Sequence, residues 1–336
     1  MANEAEFKGK PAQGSNPQLC RTSYRPSKEG WVSYLPSSWI PYVQLTRLTP
    51  GAGLWLIIFP HIFGVLHAAV LLECAPADTL RTAGWLVGGC LFLSNAIHIW
   101  NDVVDSPLDA QVPRTATRPI PRGAVSRGTA ILFTATQAIT GLLFFFPLGW
   151  PLGWRSFLWS LPSIVLHTWY PFAKRFTYYP QVSLGLALAW GVLVGEVAIG
   201  FDPLQKYQTR FDSVSSVCSL FVATVLWPVI YDTVYAHEDV EEDVKVGIKS
   251  MAVLYHGRAK PLLWKLVLVM TSLLGVSGYL AGLSAQYYIL SVAMTSAVLG
   301  VMLARVQLDN ADSCDWWFLT EFWFVGGCSS PDHAKS

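Results

Sequence analysis

Carboxylates recur at helical spacing in two places in this chain. In Asn101-Asp102-Val-Val-Asp105-Ser-Pro-Leu-Asp109, residues Asp102, Asp105 and Asp109 fall at i, i+3 and i+7, one face of a helix that continues through them. In the run from Tyr231 to Asp243, residues Asp232, Asp239 and Asp243 fall at i, i+7 and i+11, again one helical stripe. Clustered carboxylates repel one another unless something positive joins them. Hard oxygen donors of this kind suit Mg²⁺, which keeps waters and shares its coordination sphere with substrate phosphates. Cations accompany both clusters: Arg114 and Arg118 follow the first, Lys245 and Lys249 follow the second, and Lys174 and Arg175 lie between them. Two acidic clusters with six such cations describe a site for a metal-bridged diphosphate.

The elements that position these residues are read from composition. The chain has 336 residues, of which 52% are hydrophobic and 13% charged. Its mean hydropathy is +0.39. Soluble proteins carry about 25% charged residues, so a soluble globule is excluded. Whole-chain disorder and a coiled coil are excluded too. A net charge of +1 offers no basic footprint for nucleic acid. A spanning helix needs ~20 mostly apolar residues. The candidate spans are 51–72, 83–100, 128–148, 156–171, 181–201, 214–235, 262–282, 285–305 and 316–327, with the fourth and ninth short. The predicted fold is all-α, a polytopic membrane bundle of about nine transmembrane helices.

The distribution of Lys and Arg orients the bundle. With the N-terminus in the cytosol, seventeen Lys and Arg fall in cytosolic segments and four (Arg81, Arg155, Lys206 and Arg210) in outside loops. That orientation places 101–127, 172–180 and 236–261 on one cytosolic face. A diphosphate at such a lipid-embedded mouth points to an isoprenoid, with its tail in the bundle and its head at the interface. Transporters carry ionisable residues near the midplane, whereas these acids sit at helix ends on one side. Residues 1–40 read as a disordered cytosolic tail, 41–327 as the membrane domain and 328–336 as a polar C-terminal tail. The first segment has no apolar h-region. With Glu4, Glu6 and Glu29 it does not read as a mitochondrial presequence either. Six scattered cysteines without a C-x-x-C read as packing residues or free thiols.

At the two Asp runs the sequence resembles the UbiA superfamily of intramembrane prenyltransferases. The stretch NDVVDSPLDAQVPRTATRPIPRGAV (101–125) resembles the family's first Asp motif, and YDTVYAHEDVEEDVKVGIKSMAVLY (231–255) its second. YPFAKRFTYYPQVSLG (170–185) and RLTPGAGLWLIIFPHIFGV (47–65) resemble two further patches, so the likeness runs from about Arg47 to about Asp315. The resemblance implies a nine-span bundle with a lateral opening to lipid, and Mg²⁺ bridging both motifs to an allylic diphosphate. It implies Asn101, Asp102, Asp105, Asp109, Asp232, Asp239 and Asp243 as metal-site residues. Arg114, Arg118, Lys174, Lys245 and Lys249 match basic positions near the diphosphate, and Tyr170 and Tyr235 match aromatics near the cation.

The implied chemistry is electrophilic aromatic substitution. The leaving diphosphate is stabilised, an allylic cation forms away from water, and a phenol ring attacks it through carbon. Asp102, Asp105, Asp232, Asp239 and Tyr235 are the catalytic candidates, with an Asp of the second motif activating the phenol. Tyr170, Tyr235 and Trp100 are candidates to shelter the cation, and His98 and His237 are histidines to test for a part in the reaction. Members acting on 4-hydroxybenzoate carry R-x-x-G-C before the Asn-Asp pair. Here Ser94 stands for the Arg and His98 for the Cys. An Arg is a natural carboxylate clamp, so its loss leaves Arg47, Ser94, His98 and Tyr170 as acceptor or cation candidates.

The expected activity is Mg²⁺-dependent transfer of an isoprenoid chain, farnesyl by preference, to a carbon of a polyketide-derived phenolic acid in meroterpenoid metabolism. The alternatives are 4-hydroxybenzoate polyprenyl transfer in quinone biosynthesis, a member that cyclises its own prenyl cation, and a transporter. The expected partners are a prenyl diphosphate, a phenolic acceptor and the lipid bilayer, with no nucleic acid and no obligate protein partner. The expected location is the endoplasmic reticulum or a related endomembrane, with the site facing the cytosol.

Overall fold

The computed structural model describes residues 30–48, 52–112, 115–149 and 152–326. Among them every regular element is a helix. A 3₁₀ turn at Gly30–Tyr34 precedes α1 (Ile40–Thr46). Long helices follow as α2 (Ala52–Leu71), α3 (Pro76–Asp109), α4 (Arg127–Leu143), α5 (Leu152–Phe176) and α6 (Pro180–Ile199). The short α7 (Pro203–Lys206) leads into α8 (Phe211–Tyr235), and α9 (Val240–Val246) and α10 (Met251–Leu254) lead into α11 (Ala259–Leu280). α12 (Ala285–Tyr287), a π-helical turn at Tyr288–Ala293 and α13 (Met294–Arg305) form one continuous rod, and α14 (Ala311–Gly326) closes the described chain.

Local chemistry sets several boundaries. Pro76 and Pro180 open α3 and α6, where the missing N–H costs nothing. The Ser126 hydroxyl accepts the Thr129 N–H at 3.1 Å and caps α4. α6 ends on Gly200 at φ +114°, a conformation that a side chain would strain.

Seven rods are long and apolar enough to cross a membrane: α2, α3, the stretch Arg127–Leu148, α6, α8, α11 and Ala285–Arg305. The expected count of nine adds α5 and α14. α5 has 25 residues, ample length at about 1.5 Å per residue, but Lys174, Arg175, Arg155 and two prolines dilute its apolar character. α14 has 16 residues and starts five positions before the expected 316. The second span is also longer than the expected 83–100: α3 runs 34 residues and carries the whole first Asp motif as its last turns. Pro107 does not end the helix before Asp109. Gly30–Tyr34 is already structured inside the stretch assigned to the tail, with Val32 only 1% exposed. Residues 1–29 and the C-terminal tail 328–336 lie outside the described residues.

α6 and α8 form the centre of the bundle, with 67% and 61% of their spanning windows buried. α4 and the 285–305 rod, at 11% and 17%, form a rim whose outward side chains are apolar, as lipid requires. α2 and α6 meet closely because Gly64 and Gly195 have no side chains. A Cβ at Gly64 would collide with the Val192 carbonyl, and one at Gly195 with the His61 carbonyl.

At the end opposite the Asp motifs, a buried polar clasp ties four helices. His67 of α2 contacts Glu196 of α6 at 2.7 Å and Ser216 of α8 at 2.8 Å, and Ser216 donates to the Ser277 carbonyl of α11 at 2.7 Å. All four residues are at most 7% exposed. His67→Ala leaves the Glu196 carboxyl facing an apolar gap, while Ser216 keeps its bond to Ser277, at a cost on the order of 1–3 kcal/mol for the orphaned group. The expected result is a lower melting temperature in detergent with the donor KM unchanged.

Candidate functional site

The first motif is buried and neutralised by cations from three other segments. Asp102, Asp105 and Asp109 are 0%, 3% and 8% exposed. Arg47, just past the end of α1, donates to Asp102. Arg118, from the turns after α3, donates to Asp109 at 2.7 Å and lies 3.4 Å from Asp102. Lys174 of α5 donates to Asp105 at 3.0 Å, and Arg175 stands 3.9 Å from the same carboxylate. Buried carboxylates need such partners, because an unpaired charge in this setting would be neutralised or expelled.

The second motif is not one continuous stripe. α8 ends at Tyr235, the chain turns through 236–239, and α9 begins at Val240 with Asp239 at its N-cap. The turn nevertheless keeps Asp232, Asp239 and Asp243 on one wall. Behind it the chain is pinned: the Lys249 N–H donates to the Lys174 carbonyl at 2.9 Å, and the Met251 N–H to the Gln181 amide oxygen at 3.1 Å. The second motif is thereby tied to α5 and α6.

The two motifs face each other across a cavity of ≈ 360 Å³. Asn101, Asp105 and Asp109 line it from α3, and Asp232, Asp239 and Asp243 from the other side. Arg47, Arg118, Lys174 and Lys249 also line it. Deeper in, the lining turns apolar with Leu56, Ile57, Ile97, Leu184 and Leu188. Tyr170 and Tyr235 also face the cavity. The Lys174 ammonium sits 5.6 Å over the Tyr170 ring, and Tyr235 stacks on Phe318 of α14 at 4.4 Å. This gives α14 a place in the site despite its shortness.

Several sequence candidates stand apart from the cavity. Asp102 sits behind the wall, fully buried between Arg47 and Arg118. Ser94, 1% exposed, lies behind His98, whose Nδ1 is 3.3 Å from its hydroxyl. Lys245 points outward, with its side chain 70% exposed beside Glu242. Trp100 packs against α5, its indole N–H donating to the Thr168 carbonyl at 3.1 Å. His237, 4% exposed, is bonded to the Thr233 carbonyl at 2.7 Å. Burial holds the His237 pKa below its ordinary value; the Thr233 bond opposes that and the charge of His256 adds to it. Arg114 lies outside the described residues. Cys74, Cys90, Cys218 and Cys314 are free thiols.

The structure adds His167, Gln181, Asp315 and Phe318 to the wall. Gln181 lies inside the 170–185 patch that carries the resemblance, and His167 three residues before it; the sequence offered no signal for the other two as site residues. Among the described residues, no group of three or more His, Cys, Asp or Glu is gathered to hold a metal ion by itself. The donor set still fits a hard cation that completes its sphere with phosphate oxygens and water. The donors are carboxylates and an amide, and Asp105 Oδ1, on the cavity lining, is buried without a hydrogen-bond partner.

The chain is 34% identical over 289 residues to the mitochondrial 4-hydroxybenzoate polyprenyltransferase of Saccharomyces cerevisiae, covering 86% of this chain and 74% of that protein. It is 37% identical over 265 residues to a DMOA farnesyltransferase of Aspergillus novofumigatus, covering 78% and 79%. Among solved structures, the UbiA homologue from Aeropyrum pernix superposes with a TM-score of 0.65 at 23% identity, over 80% of this chain and 95% of that one. The homologue from Archaeoglobus fulgidus bound to GPP and Mg²⁺ gives 0.59 at 17% identity, over 85% and 99%. These two likenesses show the shared fold. The UbiA prenyltransferase family profile matches residues 57–325, and the chain belongs to that family as an integral membrane prenyltransferase.

Proposed function

We propose that this prenyltransferase moves a farnesyl chain from its diphosphate to a ring carbon of a phenolic, polyketide-derived acid, in a Mg²⁺-dependent reaction of meroterpenoid metabolism. The observation that carries this reading is the cavity lined by carboxylates and lysines together with aliphatic and aromatic side chains. Such a cavity fits a molecule with a charged head and an apolar tail. The DMOA farnesyltransferase relative, at 37% identity, supports the choice of donor and acceptor class. The positive-inside bias supports a site facing the cytosol on an endomembrane.

In this reading Lys174, Lys249 and Arg118 bind the diphosphate head. Mg²⁺ bound by the two motifs would add positive charge at the leaving group as the allylic C–O bond breaks. The faces of Tyr170 and Tyr235 shelter the allylic cation, each contact worth up to about 2 kcal/mol when desolvated. The apolar wall keeps water from quenching it. The phenol ring then attacks through carbon. The ring proton leaves to a carboxylate of the second motif that does not hold the cation, and aromaticity is restored.

Both arginines on the wall contact Asp102, which argues against an Arg clamp dedicated to an acceptor carboxylate. The expected result is therefore a higher kcat/KM for an electron-rich dihydroxybenzoic acid than for 4-hydroxybenzoate under one prenyl donor. A missing charge-assisted hydrogen bond corresponds to ~1.5–3 kcal/mol, roughly ten- to a hundredfold. A clear preference for 4-hydroxybenzoate would favour 4-hydroxybenzoate polyprenyl transfer, the activity for which the Saccharomyces relative is named.

A further inference from the structure

Two histidines on the cavity wall are held in the same way by neighbouring helices. His98 on α3 and His167 on α5 each follow a serine by four residues. The Nδ1 of His98 lies 2.8 Å from the Ser94 carbonyl and 3.3 Å from its hydroxyl. The Nδ1 of His167 lies 2.9 Å from the Ser163 carbonyl and 3.1 Å from its hydroxyl. A carbonyl oxygen only accepts, so in each neutral ring Nδ1 carries the hydrogen and Nε2 keeps a lone pair. The Trp100–Thr168 bond at 3.1 Å holds the two helices side by side at this level.

On His167 the second nitrogen is what remains to be satisfied. His167 is 8% exposed, and its Nε2 is buried without a hydrogen-bond partner. Gly53 of α2 lets the His98 ring pack close against that helix, since a Cβ there would collide with the imidazole Nε2. A lone pair on each ring calls for a donor. Neither a carboxylate nor a diphosphate oxygen supplies one, whereas a phenolic hydroxyl does.

We propose that His98 and His167 form the subsite for the ring hydroxyls of the acceptor, each Nε2 accepting a hydrogen bond from one hydroxyl of a dihydroxylated aromatic ring. The proposal rests on the phenolic-acceptor reading above and specifies how that ring is recognised. It makes the pair binding residues for the acceptor and leaves the diphosphate to the other end of the cavity. Gly53 then has a functional role, because any side chain at that position would close one of the two acceptors.

The test measures KM for acceptor and for farnesyl diphosphate in purified protein with Mg²⁺. The proteins compared are the wild type, His98→Phe, His167→Phe, the matching Gln variants and Gly53→Ala. Phe removes the acceptor atom, and Gln restores one at similar reach. The expected result is a rise of roughly tenfold or more in acceptor KM for each Phe variant and for Gly53→Ala, with partial recovery in the Gln variants. The farnesyl diphosphate KM should stay within about twofold of wild type, since the diphosphate head is held at the other end of the cavity. An unchanged acceptor KM in the Phe variants, or donor and acceptor KM rising together in the Gln variants, overturns the subsite. A wild type that transfers its prenyl group to no phenol overturns the phenolic reading first, so the two failures are distinguishable.

Discussion

Asp239→Ala is expected to lower kcat by about a hundred- to a thousandfold while leaving the protein folded in detergent. The size follows from the worth of a single preorganised contact to developing charge, ~3–4 kcal/mol in known active sites. Asp239 is well placed for so selective an effect. It sits at the turn between α8 and α9, outside the spanning rods, and its side chain makes no cap bond to α9. It faces the cavity across from Asp105 and Asp109. Turnover and melting temperature measured on one preparation check the prediction. Turnover within a few fold of wild type would remove the second motif from the diphosphate site.

Arg118→Ala is expected to act on stability as well as turnover. Arg118 is 8% exposed and bridges Asp109 at 2.7 Å and Asp102 at 3.4 Å. Deleting it leaves buried carboxylates short of a partner, a change that costs ~3–5 kcal/mol in buried pairs. The melting temperature should fall sharply, and turnover should fall with it because the same guanidinium stands on the cavity wall. Arg118→Lys is expected to recover less than half of the lost stability, since an ammonium does not reproduce the fork of donors that reaches two carboxylates. Full recovery with Lys would mean that charge alone, not bridging geometry, holds the first motif together.

Much of this architecture is legible in the sequence because lipid imposes simple rules. The spans are visible as apolar runs, and the clustering of Lys and Arg places both Asp motifs on one side. The helical spacing of Asp102, Asp105 and Asp109 correctly forecasts a helix running through them. For the second motif the same arithmetic fails. The chain turns at 236–239, and no periodicity records that break in a segment where every residue is polar or small enough for either state. The pairing of each carboxylate is equally hidden. Arg47 lies fifty-five positions from Asp102 and Lys174 sixty-nine from Asp105, so only the folded bundle brings them together. His167 escapes notice for a related reason: an isolated histidine on an apolar helix reads as packing until the helix beside it presents His98.

The central claim is that one cavity, with both Asp motifs at its rim, performs metal-dependent prenyl transfer to a phenolic acid. The most direct measurement incubates the purified protein with farnesyl diphosphate and a dihydroxybenzoic acid, with Mg²⁺ or with excess chelator, and reads the products by mass spectrometry. The account predicts a carbon-farnesylated acid and free diphosphate with Mg²⁺, and neither with chelator. Transfer that persists in chelator, or farnesyl diphosphate left intact with Mg²⁺ across a panel of phenolic acids, would contradict it.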